Sequence, residues 1–271
     1  KVTGSLESTT IDSLQQQINS FLQVIAQLEA RIAQLECLNS GNIPAGYCDC
    51  FGNINDACGN CGGDITDIDN CPSYALSFDG VDDYVSIGDI DLFDNFKISA
   101  TIYLDYETWD SSEITEAYMI IGKGNSYYMY MHKTLGLCAE VFSQVTLSWE
   151  GVCSPDFQPE NPYYPPNKEW TTVYMEFTNG VLNVVASDSA LYQDVISGIV
   201  ATNNNMTLIG NASAPHDGRW FNGLINEIVI EKNNEKIADY KFYSAEGTIL
   251  YDHSGNGNHG TIHGPIWVER D

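Results

Sequence analysis

Asp252, Asn256 and Asn258 fall in one glycine-interrupted stretch, Tyr251-Asp252-His253-Ser254-Gly255-Asn256-Gly257-Asn258-His259-Gly260. Carboxylate, amide and loop-carbonyl oxygens at this density suit a hard cation, and calcium (Ca2+) is the expected one. Asp79 begins a strand pair expected beside that loop and is the fourth candidate ligand. The other reading of the same residues is an Asx-rich turn that satisfies its own backbone. Glu227 and Glu231 come nearest to a catalytic acid pair. Retaining glycoside hydrolysis needs carboxyl groups about 5–5.5 Å apart, whereas residues four apart on a regular strand are separated by roughly 13 Å. The apolar Val229 also stands between these two. The five histidines, His132, His216, His253, His259 and His263, fall in expected turns or strand ends, where packing or hydrogen bonding is the default role. No catalytic residue is expected, and the chain does not read as an enzyme.

The cysteines carry a different chemistry. Six of the eight crowd together: Cys37, Cys48, Cys50, Cys58, Cys61 and Cys71. With so little apolar material between them, they read as a disulfide-stapled module in an oxidising compartment. Cys48-x-Cys50 and Cys58-x-x-Cys61 also have zinc-ligand spacing, so a metal knuckle is the rival. Sequence does not choose among the pairings. Cys138 and Cys153 are expected on neighbouring strands, where a bridge contributes about 3 kcal/mol through loop-closure entropy. Two buried thiols are the alternative there.

The elements that must position these groups begin with a helix. Ile11, Ile18, Ile25 and Ile32 occupy successive heptad a positions, with Leu14, Phe21, Leu28 and Leu35 at d. Such spacing buries nothing until copies wind together, so the chain is expected to oligomerise. Ile at a with Leu at d leans towards two strands, but Leu22 and Val24 at e and g widen the stripe. Arg31-Ile32-Ala33-Gln34-Leu35-Glu36 resembles the short Arg-apolar-x-x-apolar-Glu signature of parallel three-stranded coils. Arg31 at g would reach Glu36 at e of the next helix while its stem covers the seam. A homotrimer is the expectation, and Ile32 and Leu35 belong to the same trimerisation set. A helix docked on the chain's own globular part is the alternative. Ser8-Thr9-Thr10 supply the expected cap.

Acidic residues number 37 against 11 basic ones, a formal net charge of −26. Such a surface repels phosphate, which argues against nucleic acid and anionic membrane partners. Solubility accounts for most of the charge. No apolar run is long enough to span a bilayer, so no membrane insertion is expected. No signal peptide is visible, and because the chain opens on Lys1 that absence carries little weight.

Three zones follow one another: a coiled-coil stalk (residues 1–38), a Cys-rich collar (39–72) and a β head (73–271). In the head, Phe96-Lys97-Ile98-Ser99-Ala100-Thr101-Ile102-Tyr103-Leu104 alternates strongly, and residues 126–131 are rich in strand-favouring tyrosine. Residues 170–177 and 181–185 flank Asn179-Gly180, the preferred dipeptide of a two-residue hairpin turn. Residues 206–210 and 224–230 supply more strands. The fold class is mainly β: an antiparallel sandwich preceded by a parallel coiled-coil helix and a collar.

Ser73-Tyr74-Ala75-Leu76-Ser77-Phe78-Asp79-Gly80-Val81-Asp82-Asp83-Tyr84-Val85 resembles the opening of a laminin-G-like jelly roll, a member of the concanavalin A-like lectin/glucanase fold. Trp220-Phe221-Asn222-Gly223-Leu224-Ile225-Asn226-Glu227-Ile228-Val229-Ile230 is similar to that family's late strand, which usually carries Asp where this chain has Asn226. The stretch from Tyr251 to Ile262 resembles the family's Asp-x-Ser-Gly-Asn-x-Asn-His-Gly loop. That loop commonly precedes the Phe-Asp-Gly strand, and here it comes last. The resemblance therefore implies a circularly permuted domain in which residues 237–242 and 261–268 supply the strands usually found first. It also implies that Ser73 and Asp271 lie close together. Glu227 to Glu231 resembles the Glu-x-Asp-x-Glu strand of the glucanases, with Val229 in place of the central acid. The run Asp64-Ile65-Thr66-Asp67-Ile68-Asp69-Asn70-Cys71-Pro72 has a weaker likeness to the end of thrombospondin-type calcium repeats.

The resemblance implies structural calcium in such loops, and sugar sites that combine aromatic faces with polar loop groups. The exposed candidates for ligand binding are Trp109, Tyr163, Tyr164, His216, Arg219 and Trp220. Ordinary tyrosine at a sandwich rim is the bland reading of each. Asn205-Met206-Thr207 and Asn211-Ala212-Ser213 are glycosylation sequons that identify nothing in a chain this rich in Asn, Ser and Thr. The expectation is a trimeric extracellular fibre or adhesin of a virion surface, cell surface or secreted appendage. Its heads would recognise cell-surface glycan or glycoprotein. The alternative is a structural filament or capsid-decoration protein whose head mediates self-assembly.

Overall fold

The computed structural model describes residues 4–40, 42–44, 46–59, 61–67, 70–108, 117–154, 167–186, 191–212, 219–244 and 246–270. They form two compact units, Lys1–Asn70 and Cys71–Asp271.

The first unit is helix α1 (Gly4–Ser40), which runs past residue 38, and the collar as far as Asn70. The helix runs through Ser8-Thr9-Thr10, so these residues do not cap it. Leu6 and Glu7 are good helix formers, and their propensity carries the helix past the polar stretch. All eight a and d side chains are 49–67 % exposed. Leu22 and Val24 are exposed as well. Cys37 lies at an f position and is bonded to Cys50, and Cys48 is bonded to Cys61. Cys58 and Cys71 are also disulfide-bonded, and no cysteine is free, so the zinc reading falls. Asp49 organises the turn between the staples by accepting the N–H groups of Phe51 (2.8 Å) and Asn53 (3.0 Å). Among the described residues of this unit the buried apolar ones are Cys37 and Cys58, so covalent bonds stand in for a core there.

The collar packs on one particular side of the helix. A groove of about 560 Å³ between them is walled on the helix by Gln27, Ala30, Arg31, Ala33, Gln34 and Cys37. These are b, c, f and g positions. The a/d seam remains bare.

The described regular structure of the second unit is β, apart from a single 3-10 turn at Tyr106–Thr108. In chain order they are β1 (Tyr74–Asp79), β2 (Tyr84–Ser86), β3 (Phe96–Tyr103), β4 (Ala117–Lys123), β5 (Tyr127–His132), β6 (Gly136–Phe142), β7 (Trp149–Cys153) and β8 (Trp170–Thr178). Then follow β9 (Val181–Ala186), β10 (Leu191–Val195), β11 (Thr207–Ile209), β12 (Asn222–Lys232), β13 (Glu235–Lys241), β14 (Ile249–Leu250), β15 (Gly260–His263) and β16 (Ile266–Glu269). Sheet A has the order β10-β9-β8-β3-β12-β1-β16, with β13 also on β12. Sheet B has the order β14-β15-β2-β11-β4-β5-β6-β7. Every pairing is antiparallel, and inward residues such as Phe96, Met129, Phe177, Phe221, Ile228 and Tyr240 fill the space between the sheets. The Asn179-Gly180 turn adopts positive φ at both residues (52° and 78°), as its hairpin requires.

The C-terminal strands complete both sheets. β15 pairs with β2, and β16 pairs with β1 from Tyr74↔Glu269 to Ser77↔Ile266. The N–H of Arg270 donates to the carbonyl of Ser73 (3.1 Å), which brings the two ends of the sandwich together; Asp271 itself lies outside the described residues. β12 bulges at Asn226, whose amide donates to the Tyr74 carbonyl (2.6 Å) and accepts from Arg270 (2.7 Å). An aspartate there could not donate, which accounts for Asn in this chain. Cys138 and Cys153 are register partners on β6 and β7 and are bridged.

One buried charge holds a crossing segment. Lys123 is fully buried and pairs with Asp89 and Asp91, both about half exposed, from the segment between β2 and β3. Asn211 is fully buried, so its sequon cannot carry a glycan on the folded head.

Candidate functional site

The chain turns from β1 into β2 through Asp79-Gly80-Val81-Asp82-Asp83. Gly80 takes φ 82° with the Asn222 side chain 3.0 Å from where a Cβ would stand, so the turn needs glycine. The turn ties itself: Asp79 N–H donates to Asp83 Oδ2 (2.9 Å), and Val81 N–H donates to Asp79 Oδ1 (2.8 Å). One carboxylate oxygen from each of Asp79, Asp82 and Asp83 then lies within 4.8 Å of the others. Asp79 and Asp82 are exposed and Asp83 is buried. Burial lifts the Asp83 carboxyl above the ordinary carboxylate range; the Asp79 N–H offsets part of this, and the charges of Asp79 and Asp82 add to it. Gly264 (φ 94°) brings its backbone against the Asp83 carboxylate where a side chain would collide.

An aromatic stack adjoins this turn. Tyr84, the next residue along the chain, stacks on its register partner His263 of β15 (centroids 4.5 Å, planes 16° apart). Trp220, just before β12, lies 6.2 Å from Tyr84 on a tilted plane. Tyr84 and Trp220 are half-buried and His263 is exposed. The expected residues Asp79 and Trp220 are thus brought into one site by β1, β2, β15 and the approach to β12. Sequence reasoning missed Asp82, Asp83, Tyr84 and His263 as members. The acidic doublet beside Asp79 was a visible signal; the Tyr84–His263 pairing was not.

Arg219 turns to different partners from its neighbour. Its guanidinium lies 4.9 Å from the Tyr128 ring centroid, and Tyr128 stacks on Trp149 at 4.2 Å. Tyr128 belongs to a small buried cluster with Ala117, Met119, Tyr130, Cys138 and Ala212, separate from the main core. Trp109, Tyr163, Tyr164 and His216 lie outside the described residues.

The glycine-rich loop before β15 is turned inward. Asp252 Oδ1 accepts the N–H groups of Asp239 and Ser254 (both 2.9 Å). Its Oδ2 accepts Ser254 Oγ–H and Asn258 N–H (both 2.9 Å). Burial alone would raise the Asp252 carboxyl, but these four bonds hold it below the ordinary range. Asn258 donates to the Ile237 carbonyl (2.7 Å), and Asn256 donates to the Lys236 carbonyl (3.1 Å). Asp252, Asn256 and Asn258 therefore knit the loop to β13, and both Asp252 oxygens are saturated. That geometry does not fit a cation. Among the described residues the Asp79-Asp82-Asp83 turn is where carboxylate oxygens converge, and oxygens of this kind are the donors a hard cation takes.

Glu227 pairs with Lys241 and accepts from Thr101 (3.4 Å). Glu231 lies further along the same face of β12, in register with Lys97, and Val229 stands between them.

No family model matches the chain, and no curated protein matches its sequence. Solved structures do resemble it. Domains LG4-5 of the mouse laminin α1 chain share 10% identity over 59% of this chain, with a TM-score of 0.45. The chain covers 41% of that structure's length. A Ruminococcus gnavus sialidase CBM40 bound to α2,3-sialyllactose shares 10% over 57% of this chain and 88% of its own, with a TM-score of 0.41. A heptameric SAP-like pentraxin from Limulus polyphemus shares 12% over 74% of this chain and 93% of its own, with a TM-score of 0.42. At these identities each likeness is one of fold alone.

Proposed function

We propose that this chain is a trimeric extracellular fibre or adhesin whose laminin-G-like, circularly permuted heads recognise cell-surface glycan or glycoprotein. The observation that carries the reading is the bare seam. The collar is stitched to the b, c, f and g side of α1, and every a and d side chain is left exposed. Three copies wound along that seam would each move eight half-exposed apolar side chains out of water, at about 1 kcal/mol apiece. Weak heads on a shared stalk gain apparent affinity through effective concentration. The disulfides fit an oxidising, extracellular setting, and among the described residues no helix is long and apolar enough to cross a membrane.

For recognition, the support is a hard-oxygen turn beside an aromatic stack. Asp79, Asp82 and Asp83 would hold Ca2+, which supplies charge compensation for the turn. Tyr84, Trp220 and His263 would offer ring faces to the apolar side of a sugar. No hydrolase activity is proposed, since Val229 separates Glu227 from Glu231 and Lys241 neutralises Glu227. The test is a glycan array run with the intact protein, with and without chelator, beside sedimentation under native conditions. The reading expects a trimer with calcium-dependent glycan binding. A monomer or dimer ends the stalk argument, and no glycan bound ends the recognition argument.

A second reading, a filament or capsid-decoration protein whose head self-associates, is favoured by one surface. Val145, Leu147, Val195 and Ile199 are all exposed, and the β6–β7 loop is bonded to the segment after β10 through Gln144 N–H to the Ile199 carbonyl (3.0 Å). Filaments or lattices in electron micrographs would favour it.

A further inference from the structure

Three turns converge at one end of sheet A: the turn into β3, the β8–β9 turn and the β12–β13 turn. Each carries asparagine at positive φ: Asn95 (41°), Asn179 (52°), and Asn233 and Asn234 (53° and 65°). The turns are tied together, Asn179 N–H donating to Asn95 Oδ1 (3.2 Å) and Asn233 N–H to the Asn95 carbonyl (2.8 Å). Between them opens a cleft of about 320 Å³, at the lower end of ligand-pocket sizes. Its floor is a row of charges in register across three strands, Glu176 of β8, Lys97 of β3 and Glu231 of β12. Lys97 Nζ sits 4.1 Å from the Tyr174 ring centroid and forms no ion pair with either glutamate.

Asn234 is the informative residue. The second position of a two-residue hairpin turn strongly prefers glycine. Asparagine is the costlier occupant there, and it adds a carboxamide to the cleft wall.

We infer that this cleft is a subsite for a neutral sugar, distinct from the Asp79–Trp220 site. The inference rests on the glycan reading above. Lys97 stands between the two carboxylates and repels a metal ion. Two carboxylates against one ammonium repel carboxylated or sulfated sugars. Three carboxamide-bearing turns, an ammonium and two carboxylates offer donors and acceptors to a ligand dense in hydroxyls. Tight, cross-bonded turns hold these groups in place before binding, which lowers the entropy cost of association.

The test applies the labelled full chain to an array of glucose-, galactose-, mannose- and N-acetylglucosamine-terminated glycans, alongside sialic- and glucuronic-acid-terminated ones. Asn234→Gly and Glu231→Ala are run in parallel. Asn234→Gly suits its turn better than the original, so folding is secured while the carboxamide is lost. We expect neutral glycans to bind, with about fivefold weakening in Asn234→Gly and about tenfold in Glu231→Ala. Neutral-glycan binding unchanged in both variants, or a preference for acidic glycans, overturns this subsite and leaves the glycan reading standing. A wild-type chain that binds no glycan overturns both.

Discussion

The helical unit and the head bury apolar surface in opposite ways. The head closes on itself: two sheets enclose Phe96, Phe177, Phe221 and Tyr240, each at most 2 % exposed. The helical unit keeps its apolar residues outside and holds its shape with disulfides, leaving Ile25 49 % and Phe21 67 % exposed. The difference teaches which part is finished as a single copy. The head buries its core within one copy, whereas the heptad helix of one copy leaves its main apolar stripe in water, and the proposed coil is what would cover it.

The largest effect follows from breaking that contrast at the seam. Ile18→Asp with Ile25→Asp places buried, unpaired carboxylates in the proposed coil, and sedimentation should then show monomer at every accessible concentration. The head should melt at an unchanged temperature. A trimer that survives both changes would show that the seam is not what joins the copies.

The head can be strained from inside by an asymmetric pair of substitutions. Asp89→Asn with Asp91→Asn strands the buried ammonium of Lys123, and should cost about 3–5 kcal/mol in chemical denaturation. Lys123→Met leaves two carboxylates that are about half exposed and can hydrate, so it should cost less than about 1 kcal/mol. Equal losses in both variants would refute this account of the segment between β2 and β3.

The smallest expected effect is local to the loop before β15. Asp252→Asn sets an amide against two of four donors, and should cost about 1–3 kcal/mol near neutral pH. The folded carboxyl titrates below its unfolded value near 4, so its contribution is complete above that value and fades as pH falls through the folded one. The gap between wild type and variant should therefore close in acid. A gap that persists at low pH would mean that the hydrogen bonds to the charged form are not its source.

What was legible in the chain was what is local. Alternation from Phe96 to Tyr103 and the Asn179-Gly180 turn each reveal themselves within a few residues, because period and turn chemistry act over that range. The Asp252 loop shows where such reading ends. Its oxygen spacing suits a cation, yet its partners are Asp239 and Ile237, on a strand that only the fold brings alongside. Lys123 gave no sign at all, since nothing beside it in sequence is acidic. Tyr84, Trp220 and His263 come from three distant stretches and meet only through the pairing of β2 with β15. The helix start went astray for the opposite reason: Ser8-Thr9-Thr10 is a sound local cap, and the helix-forming residues before it prevailed.

Because β16 lies along β1, the strand that follows Ser73 is flanked on both sides, by β12 and by β16. A pull arriving at Ser73 along the backbone meets two ladders at once. Both must slide before the strand leaves, where an edge strand would peel bond by bond. Deleting the last strand would leave the sandwich folded around a weaker grip, and a single-molecule extension trace would register it as a lower rupture force at the first step.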